Sequence, residues 1–132
     1  MKEFKILLVD DDPEDRDIIK DAMALHNADD IIHFAENGEQ ALNILDFFLN
    51  ENQVPCLVVL DLNMPKMNGT ETLRHLKNHE RFKEIPVVIY TTSINSLEKE
   101  KCIELGAQDF FTKPISFNES KETALKLLSF CK

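Results

Sequence analysis

The stretch of residues 56–69 reads Cys-Leu-Val-Val-Leu-Asp-Leu-Asn-Met-Pro-Lys-Met-Asn-Gly and decides the fold. Leu57 to Leu60 is a run of branched apolar residues, which is the composition of a strand buried on both faces of a parallel sheet. Asp61 follows this run directly, and the proline and the Asn-Gly pair behind it interrupt regular structure before a helix can begin. The stretch therefore predicts a buried strand that delivers a carboxylate to the edge of a sheet.

The composition is that of one globular domain. The chain has 132 residues, of which 43% are hydrophobic and 30% charged, so we expect a single domain over residues 1–132 with no second module. A formal net charge of −9 repels phosphate backbones and anionic lipid, which disfavours direct binding to nucleic acid or membrane. The first apolar run, residues 6–9, is too short for a signal peptide or a membrane span, which predicts a cytoplasmic protein.

The cysteines give no metal-binding pattern. Cys56, Cys102 and Cys131 are odd in number, widely spaced and without a Cys-x-x-Cys or Cys/His spacing. We therefore expect all three to be reduced packing residues.

Short apolar runs alternate with amphipathic segments along the whole chain. The predicted strands are residues 5–9, 31–35, 57–60, 86–90 and 109–112. The predicted helices are residues 12–26, 39–49, 70–79, 95–105 and 118–131. Their starts carry capping signals such as Asp12-Pro13 and the Asn95/Glu98 spacing, and Gly106 closes the fourth helix. The expected inward residues of the first and last helices are Ile18, Ile19, Ala22, Met23, Leu25, Ala124, Leu125, Leu127 and Leu128.

Alternating strands and helices predict an α/β fold, a doubly wound parallel sheet with helices on both faces in three layers. In such a sheet the carboxyl ends of the strands share one edge, where ligands bind. Polar side chains follow four of the predicted strands at that edge, namely Asp10 and Asp11, Asp61, Thr91 in the run Thr91-Thr92-Ser93, and Lys113.

Three carboxylates in one pocket repel one another and favour a bound cation. Because the candidate ligands are all oxygen atoms, a hard ion such as Mg²⁺ (or Mn²⁺) suits the site best. A divalent ion would also let Asp61 approach an anionic phosphorus centre.

These residues resemble the receiver domains of two-component response regulators. The resemblance spans nearly the whole chain and rests on Val9-Asp10-Asp11, on Asp61-Leu62-Asn63-Met64-Pro65 with Gly69, on Thr91 after an apolar strand, and on Lys113-Pro114. It implies a flavodoxin-like, CheY-like sheet of five parallel strands in the order 2-1-3-4-5, a topology that follows from the family and not from the residues. Because 132 residues leave no room for a second module, we expect a stand-alone receiver without an output domain.

The resemblance implies a role for each matched residue. Asp61 would accept a phosphoryl group from the phosphohistidine of a histidine kinase. Asp11, Asp61 and the backbone carbonyl of Asn63 would bind the metal, and Asp10 would act through a bound water. Lys113 would pair with the phosphoryl oxygens, across a Lys-Pro bond that is commonly cis in this family.

The family also implies a switch. Thr91 would donate its hydroxyl to the phosphoryl group, and Phe110 would rotate in behind it and change the surface around the fourth and fifth helices. The protein would catalyse only its own phosphorylation and dephosphorylation and would not otherwise be an enzyme. It would pass the signal on by binding another protein. The binding partner could be a downstream target or a phosphotransfer protein. The chain itself could be a monomer or a homodimer that forms through helix 4, strand 5 and helix 5 and is favoured by phosphorylation.

The second helix with Phe47 and Phe48, the Glu51 to Pro55 segment and the run at residues 91–95, Thr-Thr-Ser-Ile-Asn, resemble the receivers paired with phytochrome-type kinases. This further likeness suggests the phosphodonor.

Two other interpretations compete with this one. Asp10-x-Asp12 after a strand, with Thr91 and Lys113, is similar to the core of haloacid-dehalogenase-like phosphatases. That family has a further acidic pair beyond the lysine to hold magnesium, whereas only Glu119 and Glu122 follow here, inside a predicted helix. This interpretation also leaves Asp61 without a role. The second alternative is an interaction module that works without phosphorylation. The complete set of five polar residues at the strand ends argues against it.

Overall fold

A computed structural model describes residues 5–92 and 95–131. Five strands alternate with five helices: β1 (Ile6–Val9), α1 (Pro13–Ala24), β2 (Ile32–Ala35), α2 (Gly38–Asn50), β3 (Leu57–Leu60), α3 (Gly69–Asn78), β4 (Val87–Thr91), α4 (Ser96–Leu105), β5 (Asp109–Thr112) and α5 (Phe117–Ser129). The strands form one parallel sheet in the order β2-β1-β3-β4-β5. The predicted fold class and strand order are confirmed, and each predicted element is present with bounds that shift by a residue or two.

Strand β3 is the centre of this sheet, as its composition predicts. All four of its residues are buried, and it pairs with β1 on one side and β4 on the other. Successive side chains of a strand point to opposite faces. Val58 and Leu60 therefore pack under α2, α3 and α4, while Leu57 and Val59 pack under α1 and α5.

The first and last helices use a narrower apolar stripe than the sequence suggests. Ile19, Ala22 and Met23 are buried in α1, as are Ala124 and Leu127 in α5. The prediction was wrong for three residues, because 40% of Ile18, 57% of Leu25 and 54% of Leu125 is exposed. A helix turns about 100° per residue, so Ile18 and Leu125 lie to the side of the face that meets the sheet. Leu25 lies beyond the end of α1, as its C-cap.

The cysteine prediction was wrong for two of the three residues. Cys56, just before β3, forms a disulfide with Cys131, just after α5, and their Cα atoms are 5.3 Å apart. The two positions are 75 residues apart in the chain, and only the fold brings them together. Cys102 is a buried free thiol in the core, as expected.

The described residues contain neither a membrane-spanning helix nor a cis peptide bond. Within residues 5–92 and 95–131, no helix has both the length and the apolar character needed to cross a membrane. No peptide bond of the described chain is cis, so the Lys113-Pro114 bond is trans here.

Candidate functional site at the carboxyl edge of the sheet

The sheet brings the first two acidic positions side by side. β1 and β3 are parallel neighbours in which Val9 is paired with Leu60. The ladder extends one step further, since the Asp61 N–H donates to the Val9 carbonyl at 3.0 Å and the Asp10 N–H donates to Ala35 at 2.9 Å. Asp10 and Asp61 therefore lie side by side at the ends of adjacent strands. Asp10 is only 1% exposed and Asp61 only 6%.

The loop after Asp61 is held close to the strand end by the start of α3. Asn68 caps this helix by accepting a hydrogen bond from the Glu71 N–H at 2.9 Å. The Gly69 N–H donates to the Leu62 carbonyl at 3.1 Å. A Cβ atom on Gly69 would overlap the Asp61 carbonyl oxygen, so glycine is the residue that allows this approach. The loop thereby fixes the backbone on which the Asp61 carboxylate is mounted.

Lys113 reaches the same point from the end of β5. Its ammonium Nζ lies 2.6 Å from Asp10 Oδ2, 2.8 Å from Asp15 Oδ2 and 3.2 Å from Asp61 Oδ2. The Lys113 side chain is only 8% exposed, and its backbone N–H donates to the Thr91 carbonyl at 2.8 Å. One buried ammonium therefore joins three carboxylates from three different parts of the chain.

Burial and ionic pairing have opposite effects on the pKa values of Asp10 and Lys113. It raises the pKa of the Asp10 carboxyl from 3.8 to about 6, although hydrogen bonds from Lys113 and from the Asp12 N–H oppose the rise. Burial also disfavours the charged form of Lys113, but its hydrogen bonds to Asp10 and Asp15 and the charges of Asp10 and Asp61 outweigh this and raise the pKa of the lysine. Lys113 therefore stays positively charged at neutral pH.

Asp11 supplies another carboxylate on the solvent side of the pocket. One carboxylate oxygen from each of Asp10, Asp11 and Asp61 lies within 4.8 Å of the others, a spacing at which a single cation can contact all three. Asn63 is exposed beside them, and its N–H donates to Asp61 Oδ1 at 3.4 Å. We call Asp10, Asp11, Asp15, Asp61 and Lys113 the carboxyl-edge cluster.

Asp12 has a different position from its acidic neighbours. Its side chain accepts a hydrogen bond from the Glu14 N–H at 2.9 Å and is the N-cap of α1. This is the capping role that the Asp12-Pro13 pair predicts.

The two residues predicted to form a switch lie on the neighbouring strands. Thr91, at the end of β4, is fully buried. Phe110 on β5 is half-buried against the core, with Lys99 Nζ of α4 5.9 Å from its ring centroid. Thr91 thus borders the cluster through its link to Lys113, and Phe110 borders the surface of α4. Ser93 lies outside the described residues.

Three residues at this site did not emerge from the sequence as site residues. Asp15 contacts Lys113, Arg16 Nη1 donates to the Asp10 carbonyl at 2.7 Å, and the Tyr90 ring centroid lies 5.8 Å from Lys113 Nζ. Asp15 and Arg16 could have been found, because the helix that follows β1 starts at the carboxyl edge. Tyr90 could not have been found in this way, since an aromatic residue in an apolar strand is predicted to be a core residue.

Comparisons with known proteins agree on one family. A family model described as the response regulator receiver domain matches residues 6–124. The chain is 32% identical over 119 residues to the chemotaxis protein CheY1 of Helicobacter pylori, covering 90% of this chain and 92% of that protein. It is 36% identical over 115 residues to the transcriptional regulatory protein CpxR of Escherichia coli, covering 87% of this chain but only 45% of CpxR.

Solved structures give the same result. The phosphorylated cyanobacterial phytochrome response regulator RcpA is similar with a TM-score of 0.85 and 29% identity, covering 97% of this chain and 93% of RcpA. The Mn²⁺-bound form of the response regulator Rcp1 is similar with a TM-score of 0.82 and 30% identity, covering 97% of this chain and 94% of Rcp1.

Proposed function

Because the chain belongs to the response regulator receiver family, we propose that Asp61 accepts a phosphoryl group from a histidine kinase and that the phosphorylated protein signals by binding another protein. The central observation is a nearly buried carboxylate at a strand end with the Lys113 ammonium 3.2 Å away. An anionic nucleophile and a fixed cation at this distance suit attack on a phosphoryl group, since the cation can follow the charge that develops on the phosphoryl oxygens.

We propose that the reaction depends on Mg²⁺ or Mn²⁺. Asp11, Asp61 and the Asn63 carbonyl would be direct ligands, with Asp10 contributing through a water. The donor set fits such an ion, because three carboxylates converge within 4.8 Å and hard oxygen donors are what Mg²⁺ prefers. When bound, the ion neutralises part of the negative charge of the carboxylates, so that an anionic phosphodonor can enter the acidic pocket.

In the proposed transfer a carboxylate oxygen of Asp61 forms a bond to phosphorus while the bond from phosphorus to the kinase histidine nitrogen breaks. The electron pair of that bond leaves with the imidazole, and Asp61 becomes an acyl phosphate. Lys113 Nζ, already 3.2 Å from Asp61 Oδ2, needs only a small displacement to pair with the new phosphoryl oxygens. Its raised pKa keeps it charged for this task.

Phosphorylation would add about −1.5 to −2 charges at Asp61, which is the input to the switch. Thr91 would turn its hydroxyl towards the phosphoryl group, and Phe110 would move into the space behind it. Shifting a two-state equilibrium from 1:99 to 99:1 takes about 5.5 kcal/mol. Two or three charge-assisted hydrogen bonds of about 1.5–3 kcal/mol each reach that magnitude.

The output surface that we propose is formed by α4, β5 and α5. Phe110 lies beside Lys99 of α4, so its rotation would alter this surface. Leu97 and Ile103 of α4 are 74% and 45% exposed, which gives the surface apolar area for a partner. The partner would be a downstream target, a phosphotransfer protein or a second copy of the chain. The likeness to the phytochrome response regulator RcpA supports a phytochrome-type kinase as donor.

The experiment that tests the function is incubation with a small phosphodonor such as acetyl phosphate, with and without Mg²⁺, followed by intact mass measurement. We expect a single phosphoryl adduct that forms only with metal and is removed by hydroxylamine. It should be absent from Asp61→Asn and present in Asp46→Asn, which removes the same charge from the exposed side of α2.

The result also separates the competing interpretations. An adduct that survives Asp61→Asn but is lost in Asp10→Asn would favour a phosphatase with Asp10 as nucleophile. If the wild-type protein forms no adduct with any small phosphodonor or histidine kinase, the proposal is wrong and a phosphorylation-independent interaction module is left.

A further inference from the structure

The first turn of α1 places a third carboxylate against Lys113, beside those of Asp10 and Asp61. Asp12 caps the helix, Pro13 opens it, and Asp15 follows in the same turn. Side chains of a helix lean towards its amino terminus, which here means towards the carboxyl edge of the sheet. Asp15 Oδ2 accordingly lies 2.8 Å from Lys113 Nζ, and the Asp15 side chain is only 29% exposed. Residues 15 and 113 are 98 positions apart, so this contact depends on the tertiary fold.

Asp15 differs from the other partners of Lys113. Asp10 and Asp61 belong to the group of carboxylates that can share one cation, and Asp15 does not. A divalent ion held by that group would weaken the attraction of Asp10 and Asp61 for the lysine, because its two positive charges oppose theirs. Asp15 would then be the carboxylate that still holds the ammonium.

We propose that Asp15 is a positioning residue for phosphorylation: it anchors the Lys113 ammonium beside Asp61 while the metal occupies the other carboxylates. An ammonium has three N–H donors, so one can bond Asp15 while the others face the incoming phosphoryl oxygens. This inference rests on the proposed function. It predicts that Asp15 sets the rate of the transfer step and does not contribute to donor binding.

The kinetic test measures initial rates of adduct formation against acetyl phosphate concentration at saturating Mg²⁺. Asp15→Asn should lower the maximal rate on the order of tenfold, because a displaced catalytic group costs one to two orders of magnitude. The half-saturating donor concentration should not rise, since the variant removes a negative charge near an anionic donor. Asp15→Glu keeps the carboxylate and should recover most of the rate.

The matched control is Asp17→Asn, which removes an exposed carboxylate from the same helix. It should keep the wild-type rate and half-saturation. If Asp15→Asn behaves like Asp17→Asn, the inference is wrong while the proposed function stands. A variant in which the half-saturating concentration rises together with a fall in melting temperature would indicate a merely structural role and would also overturn it.

A second readout does not depend on phosphorylation. The Lys113 ammonium of the unphosphorylated protein can be followed by its side-chain ¹H–¹⁵N resonance and its hydrogen exchange in Mg²⁺. We expect exchange to be slow in the wild type and in Asp17→Asn, and clearly faster in Asp15→Asn. Equal exchange in all three proteins would refute the anchoring of Lys113, even if the wild type proved unable to form an adduct and the proposed function had already failed.

Discussion

Strand β3 ends in a covalent link on one side and in an ionic cluster on the other. Cys56, just before the strand, is bonded to Cys131, whereas Asp61, just after it, pairs with Lys113. The amino edge of the sheet is further closed by Lys77, whose ammonium donates to the carbonyls of Lys83 and Ile85 at 3.1 and 2.9 Å. The contacts at the carboxyl edge can be exchanged for a cation or a phosphoryl group. Those at the amino edge are a covalent bond and hydrogen bonds to backbone, so one sheet combines a fixed end and a responsive end.

The largest expected effect on stability belongs to the amino edge. Reducing the Cys56–Cys131 disulfide releases a loop of 75 residues, which should lower the free energy of unfolding by about 4 kcal/mol if chain entropy dominates. Urea denaturation with and without dithiothreitol measures this loss. The rate of phosphoryl adduct formation should stay unchanged, because the disulfide lies at the opposite edge from Asp61.

The matched control is Cys131→Ser, which should be as unstable as the reduced wild type and insensitive to dithiothreitol. An adduct rate that changes on reduction would break the distinction between a fixed and a responsive end.

The second effect concerns the charge balance of the carboxyl-edge cluster. Lys113→Met leaves Asp10, Asp15 and Asp61 without their cation and should destabilise the metal-free protein by about 3 kcal/mol. Millimolar Mg²⁺ should restore a large part of that loss, because it binds only the folded site. Thermal unfolding with and without Mg²⁺ measures both the loss of stability and its recovery.

Lys20→Met is the control for this change, since Lys20 is exposed on α1. It should shift stability by less than about 0.5 kcal/mol, and its response to Mg²⁺ should equal that of the wild type. A Lys113→Met protein as stable as Lys20→Met would mean that the cluster needs no internal cation.

The third and smallest effect compares one glycine from each edge. Gly69→Ala pushes a methyl group against the Asp61 carbonyl and should cost about 1–3 kcal/mol while also slowing adduct formation. Gly106, which ends α4 with φ of 111°, tolerates a side chain poorly for a different reason. Gly106→Ala should cost about 1 kcal/mol, mainly through backbone strain, because the neighbour that its Cβ would meet is the flexible Lys77 side chain, 3.2 Å away. Adduct formation should be unaffected. Equal adduct rates in the two variants would show that the loop after Asp61 is not the part that positions the carboxylate.

The sequence predicts those features that depend on local pattern. The apolar run of β3 and the residue type that follows each strand are enough to predict the sheet and to collect Asp10, Asp61 and Lys113 at one edge. The burial of individual helix residues is less accessible, because Leu125 and Leu127 are both apolar and only the rotation of α5 decides which one meets the sheet.

Contacts between distant positions are the part that the sequence leaves open. The pairing of Cys56 with Cys131 depends on where α5 ends relative to the start of β3, and no spacing rule encodes that distance. In the sequence, Asp15 is an acid in the first turn of a predicted helix, where any carboxylate is favoured by the helix dipole. Its contact with Lys113 requires knowing where the first turn of α1 lies relative to the end of β5.

The position of Tyr90 makes the protein's own fluorescence informative. The chain has one tyrosine and no tryptophan, so emission excited at wavelengths that phenylalanine does not absorb arises from this ring. Tyr90 is 3% exposed, burial raises the pKa of its phenol and keeps it un-ionised, and its ring lies 5.8 Å from the ammonium of Lys113. Any movement of Lys113 between its carboxylates changes the electric field at this ring. The protein therefore contains a built-in optical reporter of the charge state around Asp61, which can be read without a label.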